Sequence, residues 1–344
     1  MRLLIYSPVF YPMIGGMETV IELLARQFSK DGLEVKLICK APDDGTKIFP
    51  FEVIRNPSWW RTLQLFRWAD VVHYANVSLK GLYPLLLAPR PVVTAHHSAL
   101  TTEKRHQGFR VRLKQVVCRF MTNSSCSQAI ADTLAVPTTV ITNPYNDEIF
   151  KLYPDVPRDL DLVFVGRLVS DKGADLLLQA IAKLLEDKIN TSTSIIGSGP
   201  ELPRLQNLAE QLGIANLVNF TGPKRGEELA RYINRHQIMV IPSLWAEPFG
   251  VVALEGAACG CVIVGSKRGG LSDAIGPCGI TFENGNCSEL VQSLKQMLSD
   301  PKGREQYRRQ APAHLKRHGK EEIARAYEKL FHVAMTADRS ANAN

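Results

Sequence analysis

The chain has 344 residues, 45% hydrophobic and 22% charged, a balance typical of globular proteins with room for two domains. No apolar run approaches the roughly 20 residues that span a bilayer, which excludes a helical membrane protein. The net charge of +7 is modest, and no aromatic platform or recognition motif accompanies it, so nucleic acid is excluded as an expected partner.

The N-terminus predicts a β-strand. A single basic residue and a short apolar run precede Pro8, without the long apolar stretch and cleavage site of a signal peptide. The seven cysteines are odd in number and scattered, and no CxxC pair occurs, which favours reduced thiols. These features predict a cytoplasmic protein.

The first half alternates short β-branched apolar runs with helical patterns, which predicts parallel α/β structure. The predicted strands are 3–7, 35–39, 71–74, 92–95, 121–124 and 139–142. Between the first two, apolar residues recur at helical spacing up to Gly32. Residues 143–160 contain three prolines and no periodic pattern, and they predict a linker.

The pattern then restarts, with predicted strands at 162–165, 194–196, 217–220, 238–241, 262–264 and 279–282. We therefore predict two Rossmann-like, doubly wound domains, 1–150 and 151–319, facing each other across a cleft. A last helix, about 320–336, is expected to pack back on the first domain. Ligands of such sheets bind beyond the carboxyl ends of the strands.

Two strand-end loops of the second half carry the strongest chemical signals. Arg167 and Lys172 lie between Gly166 and Gly173, where a strand passes into a helix, and two cations there can neutralise a diphosphate. Glu247 follows a later strand. Glu255 lies in a helix without other charges, where a carboxylate is costly unless something pairs with it.

Two weaker signals lie in the first half. Gly15-Gly16 opens a helix after the first strand, where adjacent glycines allow close backbone approach to a phosphate or sugar, although a plain tight turn explains them equally well. Thr94-Ala95-His96-His97 ends a strand at the ligand-binding edge. A histidine at this position contacts a ligand or has a structural role, and the sequence supports the two alternatives equally.

Together these motifs resemble the group 1 glycosyltransferases, a retaining class with the GT-B fold, over essentially the whole chain. The resemblance implies that Arg167 and Lys172 hold the donor diphosphate, assisted by Gly15, Gly16 and the backbone amides near the start of the helix. Glu247 would contact the donor sugar, Glu255 the ribose diol, and His96 the transferred sugar. The helix-start residues implied are Phe249, Gly250, Val251 and Val252.

The implied reaction moves a sugar from a nucleotide diphosphate, UDP before GDP, to a saccharide or lipid-linked acceptor of cell-envelope polysaccharide or glycolipid synthesis. Catalysis would use Arg167, Lys172, Glu247 and His96, without metal or cofactor. Asp159-Leu160-Asp161 is a DxD, but it precedes a strand, and we interpret it as linker acids. The Pro-Asn-Gly typical of the family reads Thr142-Asn143-Pro144 here, which leaves the linker conformation open.

Alternatives to a transferase are an inactive nucleotide-sugar-binding partner subunit, a nucleotide-sugar epimerase or a sugar phosphorylase. A separate signal is the basic segment 104–119, which has six Lys or Arg and no acid among apolar residues. It predicts either a helix resting peripherally on an anionic membrane, which would place the protein at the inner membrane surface, or an ordinary domain helix with its apolar face in the core. Both readings stay open at this point.

Overall fold

The computed structural model describes residues 1–13, 15–100 and 108–342. Its internal contacts divide the chain into two compact units, the first Met1–Pro144 with Gly319–Asn344, and the second Tyr145–His318. The chain thus leaves the first unit at Pro144, where the sequence predicted 150, and returns to it at Gly319.

A parallel seven-stranded sheet forms the centre of the first unit, in the order β3-β2-β1-β4-β5-β6-β7. Its strands are β1 (Arg2–Tyr6), β2 (Glu34–Cys39), β3 (Glu52–Arg55), β4 (Val71–Tyr74), β5 (Val92–His96), β6 (Thr122–Ser125) and β7 (Thr138–Val140). Leu3 pairs with Val35 on one side and Val71 on the other, and all three are buried, as expected for a central parallel strand.

The second unit holds a parallel six-stranded sheet in the order β10-β9-β8-β11-β12-β13. Its strands are β8 (Leu160–Val165), β9 (Thr193–Ile196), β10 (Val218–Gly222), β11 (His236–Ile241), β12 (Val262–Ser266) and β13 (Gly279–Phe282). All six predicted strands are present. The predicted fold class, two Rossmann-like parallel-sheet domains, is confirmed.

Helices cover both faces of each sheet. They are α1 (Gly16–Lys30), α2 (Trp59–Trp68), α3 (Tyr83–Leu87), α4 (Phe109–Cys118), α5 (Gln128–Ala131), α6 (Ala174–Glu186), α7 (Leu202–Gln211), α8 (Gly226–Asn234), α9 (Val251–Ala258), α10 (Leu271–Ile275), α11 (Cys287–Ser299), α12 (Pro301–Arg317) and α13 (Lys320–Asn342). Among the described helices, none has the length and apolarity needed to cross a bilayer.

The final helix, α13, packs against α1 on one face of the first sheet. Tyr327 and Phe331 are buried there, and the Phe28 ring of α1 lies 5.5 Å from the Phe331 ring. The opposite face carries α2 and α3, whose apolar side chains cluster with Leu4, Tyr74 and Val92 of the sheet. The last turns of α13 extend beyond residue 336, the limit that the sequence predicted.

Candidate functional site

The carboxyl ends of β8 and β11 bring two functional loops together in the second unit. These strands are parallel neighbours, with Ile238 paired to Leu162, so the loops that follow them leave the same edge of the sheet. The β8 loop contains Arg167 and ends in a short 3-10 turn, Ser170–Lys172, before α6. The β11 loop runs through Glu247 to α9. This edge is where ligands of doubly wound sheets bind.

Lys172 and Glu247 form an ion pair across these two loops. The Lys172 Nζ lies 2.5 Å from Glu247 Oε1, and the Ser243 hydroxyl donates to the same oxygen over 2.7 Å. The Lys172 ammonium also lies 5.4 Å from the centre of the Trp245 ring, within cation–π range. Glu247 is buried, so these partners replace water as the neighbours of its carboxylate.

Glycines hold the backbone around this pair. Gly269 has φ +82, and a Cβ there would lie 2.2 Å from the carbonyl oxygen of Glu247. The next amide, that of Gly270, donates to the same carbonyl over 2.7 Å. The sequence did not lead us to Ser243 as a hydrogen-bond donor to Glu247, or to Gly269-Gly270 as support for the Glu247 backbone. The adjacent glycines in the loop after β12 were the sequence feature that could have indicated this support.

Glu255 lies on α9, one turn from its start. Burial raises the pKa of its carboxyl to about 7, and within the described residues no group donates a hydrogen bond to it. The sequence predicted a helix buried on all sides. Instead Val251, Val252 and Glu255 are only half-buried, which leaves one side of α9 open. The carboxyl therefore lies on the open side of α9 without a hydrogen-bond donor among the described residues, which suits a ligand that donates hydrogen bonds.

The start of α9 is fixed by its flanking residues. Gly250 adopts φ +96, and a Cβ on it would come 2.5 Å from Leu271 Cδ1. The Phe249 side chain is fully buried, with its ring 5.6 Å from that of His318, so it anchors the helix and contributes only backbone to the surface. The first amides of α9, including Val251 and Val252, have no acceptors within the helix and can bind an anion.

Arg167 is placed directly after β8 and Gly166. Its side chain is exposed, and it forms none of the ion pairs found among the described residues. It is therefore a cation without a protein counter-charge at the edge that also carries the Lys172–Glu247 pair, a suitable arrangement for binding an external anion.

Three of the predicted site residues, Gly15, Gly16 and His96, lie in the first unit. Gly15 precedes α1 and Gly16 is its first residue, and a Cβ on Gly16 would meet no atom within 4 Å. His96 ends β5 fully buried, with Nε2 3.1 Å from Asn123 Oδ1 and 4.0 Å from Cys118 Sγ. Burial lowers the pKa of His96. Its role toward a sugar stays a prediction.

The DxD acids lie at the opposite end of β8 and already have partners. Asp159 accepts two bonds from Arg235, at 3.0 and 2.7 Å, and Asp161 accepts from the amide and hydroxyl of Ser192, both at 2.9 Å. A polar concavity of about 610 Å³ opens beside Asp161, at the amino ends of β8 to β10. Because it lies away from the carboxyl edge, we do not assign the donor to it.

Two family models match adjacent parts of the chain. The model for glycosyl transferases group 1 matches residues 146–314, and that for glycosyltransferase family 4 matches residues 14–148. Together they cover residues 14–314, which include the Lys172–Glu247 pair. The chain belongs to the group 1 glycosyltransferases, and the predicted family is confirmed.

Individual relatives agree with this membership. A D-inositol 3-phosphate glycosyltransferase of Corynebacterium jeikeium is 35% identical over 177 residues, which are 49% of this chain and 42% of that protein. A glycosyltransferase of Methanocaldococcus jannaschii is 38% identical over 141 residues, 40% of this chain and 36% of that protein. The chain thus matches less than half the length of these curated relatives.

Solved structures agree in fold. The Anabaena HepE structure in complex with UDP superimposes with a TM-score of 0.84 at 20% identity, covering 97% of this chain and all of that one. The sucrose-phosphate synthase of Thermosynechococcus elongatus gives 0.80 at 21% identity, with 98% and 99% covered. At these identities the likeness concerns the fold.

Proposed function

We propose that this protein is a retaining, metal-independent glycosyltransferase that takes a sugar from a nucleotide diphosphate. The observation that carries the proposal is the Lys172–Glu247 pair, which sets a cation and a buried carboxylate side by side at the ligand-binding edge. Arg167 supplies a second cation and α9 a set of free amides. A diphosphate that is leaving a sugar needs such an arrangement.

Each residue has a distinct part in this reaction. The anomeric C–O bond breaks, and negative charge builds on the leaving diphosphate, where Arg167, Lys172 and the α9 amides stabilise it. Glu247 accepts from hydroxyls of the donor sugar, and Glu255 from the ribose diol. In the retaining course, the acceptor hydroxyl attacks on the face that the diphosphate leaves, and the departing phosphate oxygen takes its proton.

UDP is the nucleotide that we expect in the donor, ahead of GDP, because the superimposed Anabaena protein was crystallised with UDP and with UDP-glucose. The acceptor we propose is a saccharide or a lipid-linked sugar, used in cell-envelope polysaccharide or glycolipid synthesis. WaaG, a glycosyltransferase involved in lipopolysaccharide biosynthesis, is among the structures that superimpose on this chain, which supports this class.

A thermal-shift screen of UDP, GDP, ADP and their sugars tests the donor. A ligand at about 100 times its Kd stabilises the folded protein by about 2.7 kcal/mol, so the correct nucleotide should raise the melting temperature clearly. Glu255→Gln should weaken UDP binding itself. Glu247→Gln should spare UDP and impair the intact UDP-sugar. If no nucleotide diphosphate stabilises the protein, the donor assignment is wrong, and the reverse pattern would exchange the two glutamates.

A further inference from the structure

The outward side of α4 and the turn after it carry a row of exposed apolar residues, here called the apolar stripe: Phe109, Leu113, Val116 and Phe120. Their exposed fractions are 80%, 38%, 46% and 85%. Spacings of four and three residues place Phe109, Leu113 and Val116 one above another along α4, and Phe120 lies two residues beyond the helix end. Cys118, on the inward side, is fully buried near His96. The alternative in which the apolar face of this segment lies in the core is therefore not what the structure shows.

Cations flank the stripe. Arg112 and Arg119 are exposed, and neither belongs to an ion pair of the described residues. Between Asp70 and Asp132 the sequence has eight Lys or Arg and a single acid, Glu103. Residues 104–107 of the basic segment lie outside the described residues. An apolar row bordered by unpaired cations is the pattern of a helix that lies in a membrane interface.

Neighbouring elements extend the same surface. The Thr94 hydroxyl of β5 contacts the sulfur of Met121, which follows α4, and Met121 packs on the cluster that holds α2 and α3. The chain at the end of α4 therefore lies next to the face of the sheet that α2 and α3 cover. On α3, Leu86 is 85% exposed. At the start of α2, the exposed rings of Trp59 and Trp60 stack at 3.8 Å. Tryptophan is a preferred residue of membrane–water interfaces.

We propose that this face of the first unit, formed by α2, α3 and α4, docks on the surface of an anionic lipid bilayer. Positive charge brings the face to the lipid headgroups, and the stripe, Leu86 and the tryptophans enter the interface. Only one consequence of this proposal rests on the proposed function: a protein docked in this way would meet a lipid-linked acceptor at the bilayer surface. Docking itself needs neither donor nor turnover.

Sedimentation with vesicles tests the docking. We expect the full chain to bind vesicles of equal phosphatidylglycerol and phosphatidylcholine at about 0.02 M salt, and to lose most of this binding at about 0.5 M, where the Debye length is only a few ångström. Vesicles of phosphatidylcholine alone should bind far less. Arg112→Gln with Arg119→Gln should weaken binding about 25-fold, at roughly fivefold for each cation.

The apolar contribution is tested separately. Phe109→Ser with Phe120→Ser should weaken vesicle binding at least about tenfold, because two aromatic side chains no longer leave water. The matched controls carry comparable changes elsewhere, cation to Gln and apolar to Ser: Lys302→Gln with Arg309→Gln on α12, and Leu152→Ser with Val333→Ser, all exposed positions. Neither control should reduce binding appreciably.

Stabilisation by UDP, measured on every variant, separates this proposal from the donor assignment. Variants that keep the UDP response but lose the vesicles support docking. Failure of the unmodified protein to bind anionic vesicles at low salt overturns the docking and makes a soluble acceptor the better proposal. Equal binding by the stripe variant and its control would overturn the insertion of the stripe. Absence of a UDP response with normal vesicle binding would instead overturn only the donor assignment.

Discussion

Lys172 is the residue whose replacement should lower turnover most directly. It lies within hydrogen-bonding distance of a buried carboxylate, and in the proposed reaction it stabilises the leaving diphosphate together with Arg167. We expect Lys172→Ala and Arg167→Ala each to lower turnover of the donor identified by thermal shift at least about 100-fold, the scale for one electrostatic stabiliser. Lys183→Ala, an exposed cation on α6, is the control. Near-normal turnover in both site variants would refute the diphosphate assignment.

Glu255 makes a prediction about pH. Its pKa of about 7 means that a substantial part of the free protein carries a neutral carboxyl near neutrality. A ribose diol donates to the ionised form, so UDP affinity should rise as pH increases through 7 and then level off. Glu255→Gln should bind UDP more weakly and lose this part of the pH dependence.

Titration calorimetry from about pH 6 to pH 8 measures the effect. The titration of UDP itself is common to protein and variant, so the difference between their affinity curves isolates the carboxyl. Identical pH profiles would show that Glu255 does not contact the nucleotide.

At the scale of elements, the start of α9 depends on Gly250. An alanine there would have both an unfavourable φ of +96 and a Cβ 2.5 Å from Cδ1 of the buried Leu271 side chain, so the backbone at the start of α9 is strained and this side chain must move. We expect Gly250→Ala to lower UDP affinity at least about tenfold, because displaced amides no longer meet the diphosphate. Gly213→Ala is the matched control: its φ is +70, with no atom within 4 Å of the added Cβ.

The control should cost about 1 kcal/mol of stability and leave UDP binding unchanged, since only backbone strain is added. Isothermal titration with UDP and urea unfolding measure the two quantities. If Gly250→Ala binds UDP as tightly as Gly213→Ala, the amides of α9 are not part of the donor site.

The elements that the sequence predicted best are the buried parallel strands. The run at 262–264 is continuously apolar because both faces of β12 are covered, and a short apolar run of this kind predicts a buried strand directly. The edge strand β3 was missed because its Glu52-Val53-Ile54-Arg55 has two charged ends and only two apolar residues. Burial on both faces, which produces the apolar signal, is weakest at a sheet edge.

The site was predicted in its residue types but not in its contacts. The β8 and β11 loops carried visible cations and carboxylates, yet 75 residues separate Lys172 from Glu247. Only the adjacency of β8 and β11 brings them together, and strand order is not encoded in local periodicity. The exposure of the α4 stripe was likewise open, since an amphipathic helix has the same pattern whether its apolar face meets a core or a membrane.

At the scale of the whole molecule, activity should persist in EDTA. In the proposed reaction Arg167 and Lys172 supply positive charge to the leaving group, and the DxD carboxylates already accept hydrogen bonds from Arg235 and Ser192. Among the described residues, no group of three or more His, Cys, Asp or Glu is placed to hold a metal ion. Turnover before and after EDTA treatment measures this, and complete loss restored by magnesium or manganese would contradict metal independence.

Acid stability of the folded chain can be probed at His73, a buried histidine of the first unit. Its ring lies in the first unit between β4 and α13, 5.1 Å from that of Tyr327, and burial lowers its pKa to about 3. In the unfolded chain a histidine takes up a proton near pH 6.5. Between these values the unfolded state binds more protons, so the free energy of unfolding falls by about 1.4 kcal/mol for each unit of pH decrease.

His73→Phe keeps a flat ring among Tyr327 and Phe331 but removes this proton uptake. We therefore expect the variant to lose stability less steeply than the unmodified protein between about pH 6 and pH 4.5, by roughly 1.4 kcal/mol per unit. Urea unfolding followed by tryptophan fluorescence is suitable, because Trp59, Trp60 and Trp68 are three of the four tryptophans and all lie in the first unit. His332→Phe is the control: it replaces an exposed histidine of α13, the helix that packs on His73, and should leave the slope unchanged. Parallel pH dependences for His73→Phe and the unmodified protein would mean that the His73 ring is not held neutral in the folded state.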